Sequence, residues 1–237
     1  MLTKLPAGGG FGSIISQAAQ ATSQAIKQGV KQLEVDFPPV QGKLDVSLGE
    51  FSDANLKFAG QIARSLGTGM GGALWIVLPD AGEAARAKKS LGKSPFRITF
   101  LEEALKEGGE CKAQICVGFG FSIDEWIKME SLFEAGGKAP MVALNCGLDK
   151  VRGSYYPKFF YPGLYKARER FLSDFEPVYY LKPLPQGWIF RKYPEDWQVQ
   201  GSQGGGPYKL LEQNPARPDY NAALARIKSG MPANLEL

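Results

Sequence analysis

The sequence predicts an α/β fold in which a mostly parallel sheet lies between two layers of helices. Two observations carry this. Between residues 13 and 148, stretches of helical periodicity alternate with short apolar runs, the pattern of successive β-α units. Runs such as Ala73–Leu78 are apolar on both faces, as strands covered on both sides must be. After residue 148 the character changes to aromatic-rich segments and a hairpin pattern. The expected architecture is therefore a three-layer, Rossmann-like sandwich with a C-terminal β-hairpin and helix.

The elements follow in order. Residues 1–12 read as a flexible lead-in and 13–237 as one α/β domain. Residues 13–32 form a helix that Ser13 can cap and Gly29 can stop. A membrane-surface helix and a helix packed on a sheet both fit. Its polar face is rich in Gln and Ser rather than Lys, which favours the sheet. "QLEVDFPPV" is the first strand, ended by Pro38 and Pro39. Residues 50–66 form a second helix with Ser52 or Asp53 as cap. "ALWIVLPD" is a buried strand and "AGEAARAKKSL" a third helix. "FRITFLEEALKEG" is ambiguous, since it alternates like a strand at Phe96, Ile98 and Phe100 and turns helix-prone from Leu101. "AQICVGFGF" is a strand, "SIDEWIKMESLFEAG" a helix with the capping-box pair Ser122 and Glu125, and "APMVALNCGL" a further strand. Residues 149–180 read as an aromatic-rich insertion. Residues 181–237 hold a hairpin turning at Pro185-Gln186-Gly187, a loose loop at 201–208, and a helix capped by Asp219 and stopped by Gly230.

Composition narrows the chemistry. The chain has 237 residues and a net charge of +4, with no His and three Cys. Without His there is no Ser-His-Asp or Cys-His catalysis and no His metal ligand. Cys111, Cys116 and Cys146 are too few and too irregularly spaced for a disulfide framework or zinc knuckle, and suit a reducing compartment. They read as small core or surface residues. No metal or cofactor is expected. No run reaches the roughly 20 apolar residues of a membrane-spanning helix, so the chain is expected to be soluble or peripheral.

Gly67, Gly69 and Gly72 spell G-x-G-x-x-G. A dinucleotide fingerprint requires such glycines after a strand and before a helix, where the backbone N–H groups meet the pyrophosphate. Here they follow a helix and precede a strand. They read as a helix stop and a connection. The correct slot, Pro79-Asp80-Ala81-Gly82-Glu83, is acidic and repels phosphate. The next slot holds Gly118 and Gly120 but no third glycine. Asp80, Ser122 and Asn145 would all lie near carboxyl ends of strands, where open α/β sheets bind ligands. Helix capping also explains such residues, so they remain crevice candidates by position alone.

Residues 155–180 contain ten aromatics interleaved with Lys158, Lys166, Arg168 and Arg170. Three readings stay open: packing over one end of the sheet, a protein interface, and nucleic-acid stacking. Glu169, Asp174 and Glu176 dilute the last. The interface candidates are Tyr155, Tyr156, Lys158, Phe159, Phe160, Tyr161, Tyr165 and Arg168.

Several segments carry a resemblance: "QAAQATSQAIKQGVKQLEVDFPPV", "NLKFAGQIARSL", "IVLPDAGEAARAKK", and "YPEDWQV" followed by "RPDYNAAL". Their motifs are Asp36-Phe37-Pro38-Pro39, Leu78-Pro79-Asp80, and Tyr193-Pro194 with Trp197. Over residues 17–228 the chain resembles an uncharacterised-domain family of cyanobacteria, algae and plant plastids. That family includes the chloroplast low-photosystem-II-accumulation protein and the C-terminal extension of a plastid adenylate kinase. The resemblance supplies no catalytic residues. It implies a photosynthetic setting, in the chloroplast stroma or at the thylakoid periphery, or the cyanobacterial equivalent. The expected role is a non-enzymatic auxiliary or assembly protein that docks on photosystem or antenna subunits. The alternative is an enzyme that binds a nucleotide or small metabolite at the strand-end crevice. RNA binding through residues 155–171 is a third.

Overall fold

The computed structural model describes residues 11–38, 47–67, 73–153, 155–202 and 207–230. Residues 1–10 of the expected lead-in, Pro39, Gly69, Gly72 and residues 203–206 of the expected loop lie outside the described residues.

Nine strands form one sheet in the order β3-β2-β4-β5-β1-β6-β7-β8-β9. The first six in that order run parallel. Strands β2 (Leu74–Leu78), β4 (Ala113–Val117) and β5 (Met141–Leu144) are buried at every residue, because helices cover both faces. β1 is Gln32–Asp36. The ambiguous segment contains both elements: β3 (Arg97–Phe100) leads directly into α4 (Leu101–Glu107).

Helix α1 (Phe11–Lys27) begins before Ser13, so Ser13 sits in its first turn rather than at its cap. It ends as expected near Gly29, whose φ of 89° lets the Val30 N–H return to the Ala25 carbonyl at 3.0 Å. Helix α2 (Leu48–Gly67) also begins early. Ser47, not Ser52 or Asp53, caps it: the Glu50 N–H donates to Ser47 Oγ at 3.3 Å, and the Ser47 N–H donates to the Glu50 carboxylate at 3.2 Å. The two residues expected as caps instead tie α2 to α3 (Ala81–Leu91). The Ser52 hydroxyl donates to Glu83, and Asp53 pairs with Arg86 at 3.1 Å.

Helices α1, α2 and α3 cover one face around Leu33, Val35, Ile62, Ile76 and Val142. Helices α4, α5 (Ile123–Ala135), α6 (Leu148–Arg152) and α7 (Pro162–Arg170) cover the other, around Trp75, Val77, Trp126, Met129 and Leu132. The 149–180 segment does more than insert. Its end becomes β6 (Glu176–Leu184), which pairs parallel with β1. The expected hairpin follows as β6 and β7 (Gly187–Lys192), and the antiparallel pairing continues through β8 (Trp197–Gly201) and β9 (Lys209–Asn214). Tyr179 faces α1, donating to Gln17. Its neighbour Tyr180 faces the opposite side, where α8 (Tyr220–Ser229) packs on Trp197 and Val199. Asp219 caps α8 and Gly230 closes it.

Chain order makes the crevices. β2 leaves through α3 and β4 leaves through α5, in opposite layers. The connections diverge and expose the carboxyl ends between them. β1 and β5 repeat the divergence through α2 and α6.

Candidate functional site

Two adjoining cavities open along the carboxyl edge of the sheet. The larger, of about 460 Å³, lies above β1, β5 and β6. The smaller, of about 290 Å³, lies at the β2/β4 divergence. Phe51, Gly118 and Phe121 line both. The Phe51 and Phe121 rings meet edge-on, 6.4 Å between centroids.

The crevice candidates occupy three different situations. Asp80 lines the smaller cavity, and its carboxylate caps α3 by accepting from the Glu83 N–H at 2.9 Å. Ser122 caps α5, accepting from the Asp124 N–H at 3.3 Å, and lines neither cavity. Asn145 lines the larger cavity and is buried. It adopts a left-handed φ of 50°, which Asn tolerates better than most residues. Its Oδ1 accepts the Phe37 N–H at 2.9 Å, and its Nδ2 donates to Asn55 Oδ1 at 2.7 Å. The backbone donor thus fixes both amide orientations. Among the described residues the Nδ2 of Asn55 is left buried without a partner, beneath Gly118.

The second glycine slot holds an internal anion. Gly118 and Gly120 have φ of 66° and 110°, and the chain turns so that the Gly120 and Phe121 N–H groups point at one carboxylate oxygen. That oxygen belongs to Glu125, at 2.6 and 3.1 Å. The expected Ser122–Glu125 capping box is therefore altered: Glu125 reaches past Ser122. Amides that could cradle a phosphate are satisfied by the chain's own carboxylate, and Asp80 does the same after β2. Gly67 ends α2 ahead of β2, so it too lies on the wrong side of the strand for a dinucleotide.

An ionic layer missed by sequence reasoning underlies the larger cavity. Glu34 and Asp36, on one face of β1, sit beside Asp149 of α6. Glu34 is buried and pairs with Arg152 at 2.6 Å; burial raises its pKa against that pull. Asp149 accepts from Tyr180 at 2.5 Å and Lys182 at 3.0 Å, and pairs with Arg217. Burial would raise its pKa, but Arg217, Tyr180 and Lys182 outweigh that and hold it below its usual value. Arg217 also stacks over Tyr180 and Trp197, at 4.4 and 5.1 Å. Asp36 differs from both. No hydrogen bond reaches its carboxyl among the described residues. Burial pushes its pKa up to about 7, with Glu34 and Asp149 adding repulsion. The only sequence signal was the "EVD" alternation, which puts Glu34 and Asp36 on one strand face.

The cysteines are free, and burial raises all three thiols, Cys111 to about 11. They are not activated nucleophiles. Among the described residues no three His, Cys, Asp or Glu side chains gather as a metal site.

The interface candidates divide. Tyr156 and Tyr161 pack inward: Tyr156 meets buried Trp126 at 5.6 Å and Tyr161 at 5.2 Å. Trp126 is itself held by its Nε1–H donating to the Cys146 carbonyl at 2.9 Å. Tyr155, Phe159 and Phe160 project outward, 70%, 87% and 71% exposed. Tyr165 is half-buried, flanked by Lys158 at 5.7 Å and Arg168 at 5.2 Å. Lys158 also pairs with Glu169 at 3.5 Å. The result is a knuckle with a packed base, an apolar crest and a basic flank.

No curated protein and no solved structure matches the chain. One family does match, over residues 11–224, which takes in both cavities, the ionic layer and the knuckle. Two of the motifs that carried the resemblance, Asp36-Phe37-Pro38 and Leu78-Pro79-Asp80, line the two cavities. The chain belongs to the DUF1995 family, defined by a domain of unknown function.

Proposed function

We propose that this protein is a non-enzymatic docking or assembly factor that seats its 155–161 knuckle on a photosystem or antenna subunit. The observation that carries the reading is the exposed crest of Tyr155, Phe159 and Phe160. Large rings presented to water above a rigid base favour burial against a partner. The basic flank of Lys158, Lys166 and Arg168, on a chain of net charge +4, favours a partner whose contact surface is apolar at the centre and acidic at the rim. The resemblance to the family that includes the chloroplast low-photosystem-II-accumulation protein supports a photosynthetic setting and a stromal or thylakoid-peripheral location. No described helix is long and apolar enough to cross a membrane.

The test is affinity capture from detergent-solubilised thylakoids with the wild-type chain and with a Tyr155→Ser, Phe159→Ser, Phe160→Ser triple variant. The wild type should recover photosystem or antenna subunits and the variant should lose them. Recovery of neither class, or equal recovery by both baits, would overturn the reading.

The carboxyl-edge cavities favour a second reading, a small-metabolite site. Asp36 supports it, being a carboxyl without a hydrogen-bond partner among the described residues, at a concave surface where α/β sheets bind ligands.

A further inference from the structure

Five aromatic rings, Phe37, Phe51, Phe119, Phe121 and Tyr180, contribute to the lining of the larger cavity. Its interior polar groups are almost all consumed within the protein. Asn145 serves Phe37 and Asn55. The Cys146 thiol donates to the Cys116 carbonyl at 3.4 Å. Asp149 and Lys182 serve each other, with Tyr180 and Arg217 on the same carboxylate. Lys150 is exposed at the rim. What the cavity interior still offers a ligand, among the described residues, is the Asp36 carboxyl, half-buried at the end of β1.

We infer that the larger cavity binds a small organic amine, with its ammonium on Asp36 and its apolar body among Phe37, Phe51 and Phe121. Once ionised, a carboxyl that lacks an internal donor among the described residues takes a cationic donor in a charge-assisted hydrogen bond. Aromatic faces around it attract the same cation. Anions find less. Asp36 repels them once ionised, the Lys182 ammonium is held by Asp149, and the amides of Gly120 and Phe121 that would welcome one already hold Glu125, while the cation open to them, Lys150, lies at the rim. The volume of about 460 Å³ accommodates a molecule of one or two rings. This site is separate from the knuckle, and the amine reading stands or falls independently of docking.

The test is calorimetric titration and thermal shift with phenethylamine and tryptamine as probes, and 3-phenylpropionate as the anionic control of similar shape. The wild type should bind both amines saturably and ignore the carboxylate. Asp36→Asn keeps the shape and should weaken amine binding at least tenfold. Phe121→Ser, altering a ring 65% exposed at the mouth, should weaken it several-fold in a folded protein. Absence of saturable amine binding, equal binding of 3-phenylpropionate, or unchanged affinity in Asp36→Asn would each overturn the inference. Should Asp36→Asn not fold, the amine-against-carboxylate contrast and the Phe121→Ser loss decide it on their own.

Discussion

Asn145 and Asn55, ninety residues apart, share a buried hydrogen bond of 2.7 Å whose polarity is set by a third group, the Phe37 N–H. The bond ties the end of β5 to α2, and the Phe37 contact ties it to the end of β1. One side chain with a left-handed backbone therefore holds the ends of β1 and β5 and helix α2 together at the carboxyl edge of the sheet.

Asn145→Ala should destabilise the fold by about 3 kcal/mol. It leaves the Phe37 N–H and Asn55 Oδ1 buried without partners, at roughly 1–3 kcal/mol each before relaxation or water entry. It also puts a residue less tolerant of positive φ at 50°. Urea unfolding measures this; a loss below about 1 kcal/mol would show that the relay is not structural.

Asp36 should make stability fall with rising pH. Its ordinary value of 3.8 becomes about 7 in the fold. Between those limits the unfolded chain has released a proton that the native state still holds, so unfolding becomes easier as pH rises from about 4 to about 7. The contribution is fully present at the acid end and gone above the upper limit. Denaturation midpoints across that window should show a downward slope in the wild type that is shallower in Asp36→Asn, where Glu34 alone of the two raised carboxyls remains. Parallel curves would contradict the burial argument.

The knuckle predicts a contrast between neighbours. Tyr155→Ser, Phe159→Ser and Phe160→Ser together should change the melting temperature little, because those rings are mostly in water. Tyr156→Ala should cost about 2–3 kcal/mol, because it strips the contacts to Trp126 and Tyr161. Thermal denaturation of the two variants separates crest from base; equal losses would mean the crest is itself packed.

Gly120→Ala should be among the most damaging single-methyl additions. The new Cβ would overlap the Trp126 ring and lie 2.8 Å from the Cys146 carbonyl oxygen, at a φ of 110°. Overpacking against buried groups costs about 1–3 kcal/mol, with backbone strain added. Unfolding curves should show the loss. A neutral result would mean that the 118–121 turn readjusts freely, and with it the amides bound to Glu125.

Arg217→Ala should loosen the C-terminal segment by about 2 kcal/mol. It removes a cation from Asp149 and from the faces of Tyr180 and Trp197. Limited proteolysis should cut first within residues 215–230. Cleavage at unchanged rate and position would show that α8 is held without Arg217, by Ala223, Ile227 and the Arg226 bonds to the Leu211 carbonyl.

The sequence by itself determined what acts over a few residues. Asp80, Ser122 and Asp219 were legible as caps because a cap needs only a side-chain oxygen and the N–H groups two or three positions on. The buried strands were legible because covering both faces demands apolar residues at every position. The misplaced glycines were legible because chain order alone puts them ahead of β2. Tertiary structure decided the rest, because those partners are remote in sequence. Ser52 and Asp53 look like caps until α3 brings Glu83 and Arg86 to them. Glu34 and Asp36 become part of a charged layer only when β6, α6 and Arg217 deliver Lys182, Asp149 and a guanidinium. Tyr156 and Phe159 read alike in the sequence, and only Trp126, from a separate helix, turns one into a base and leaves the other as the crest.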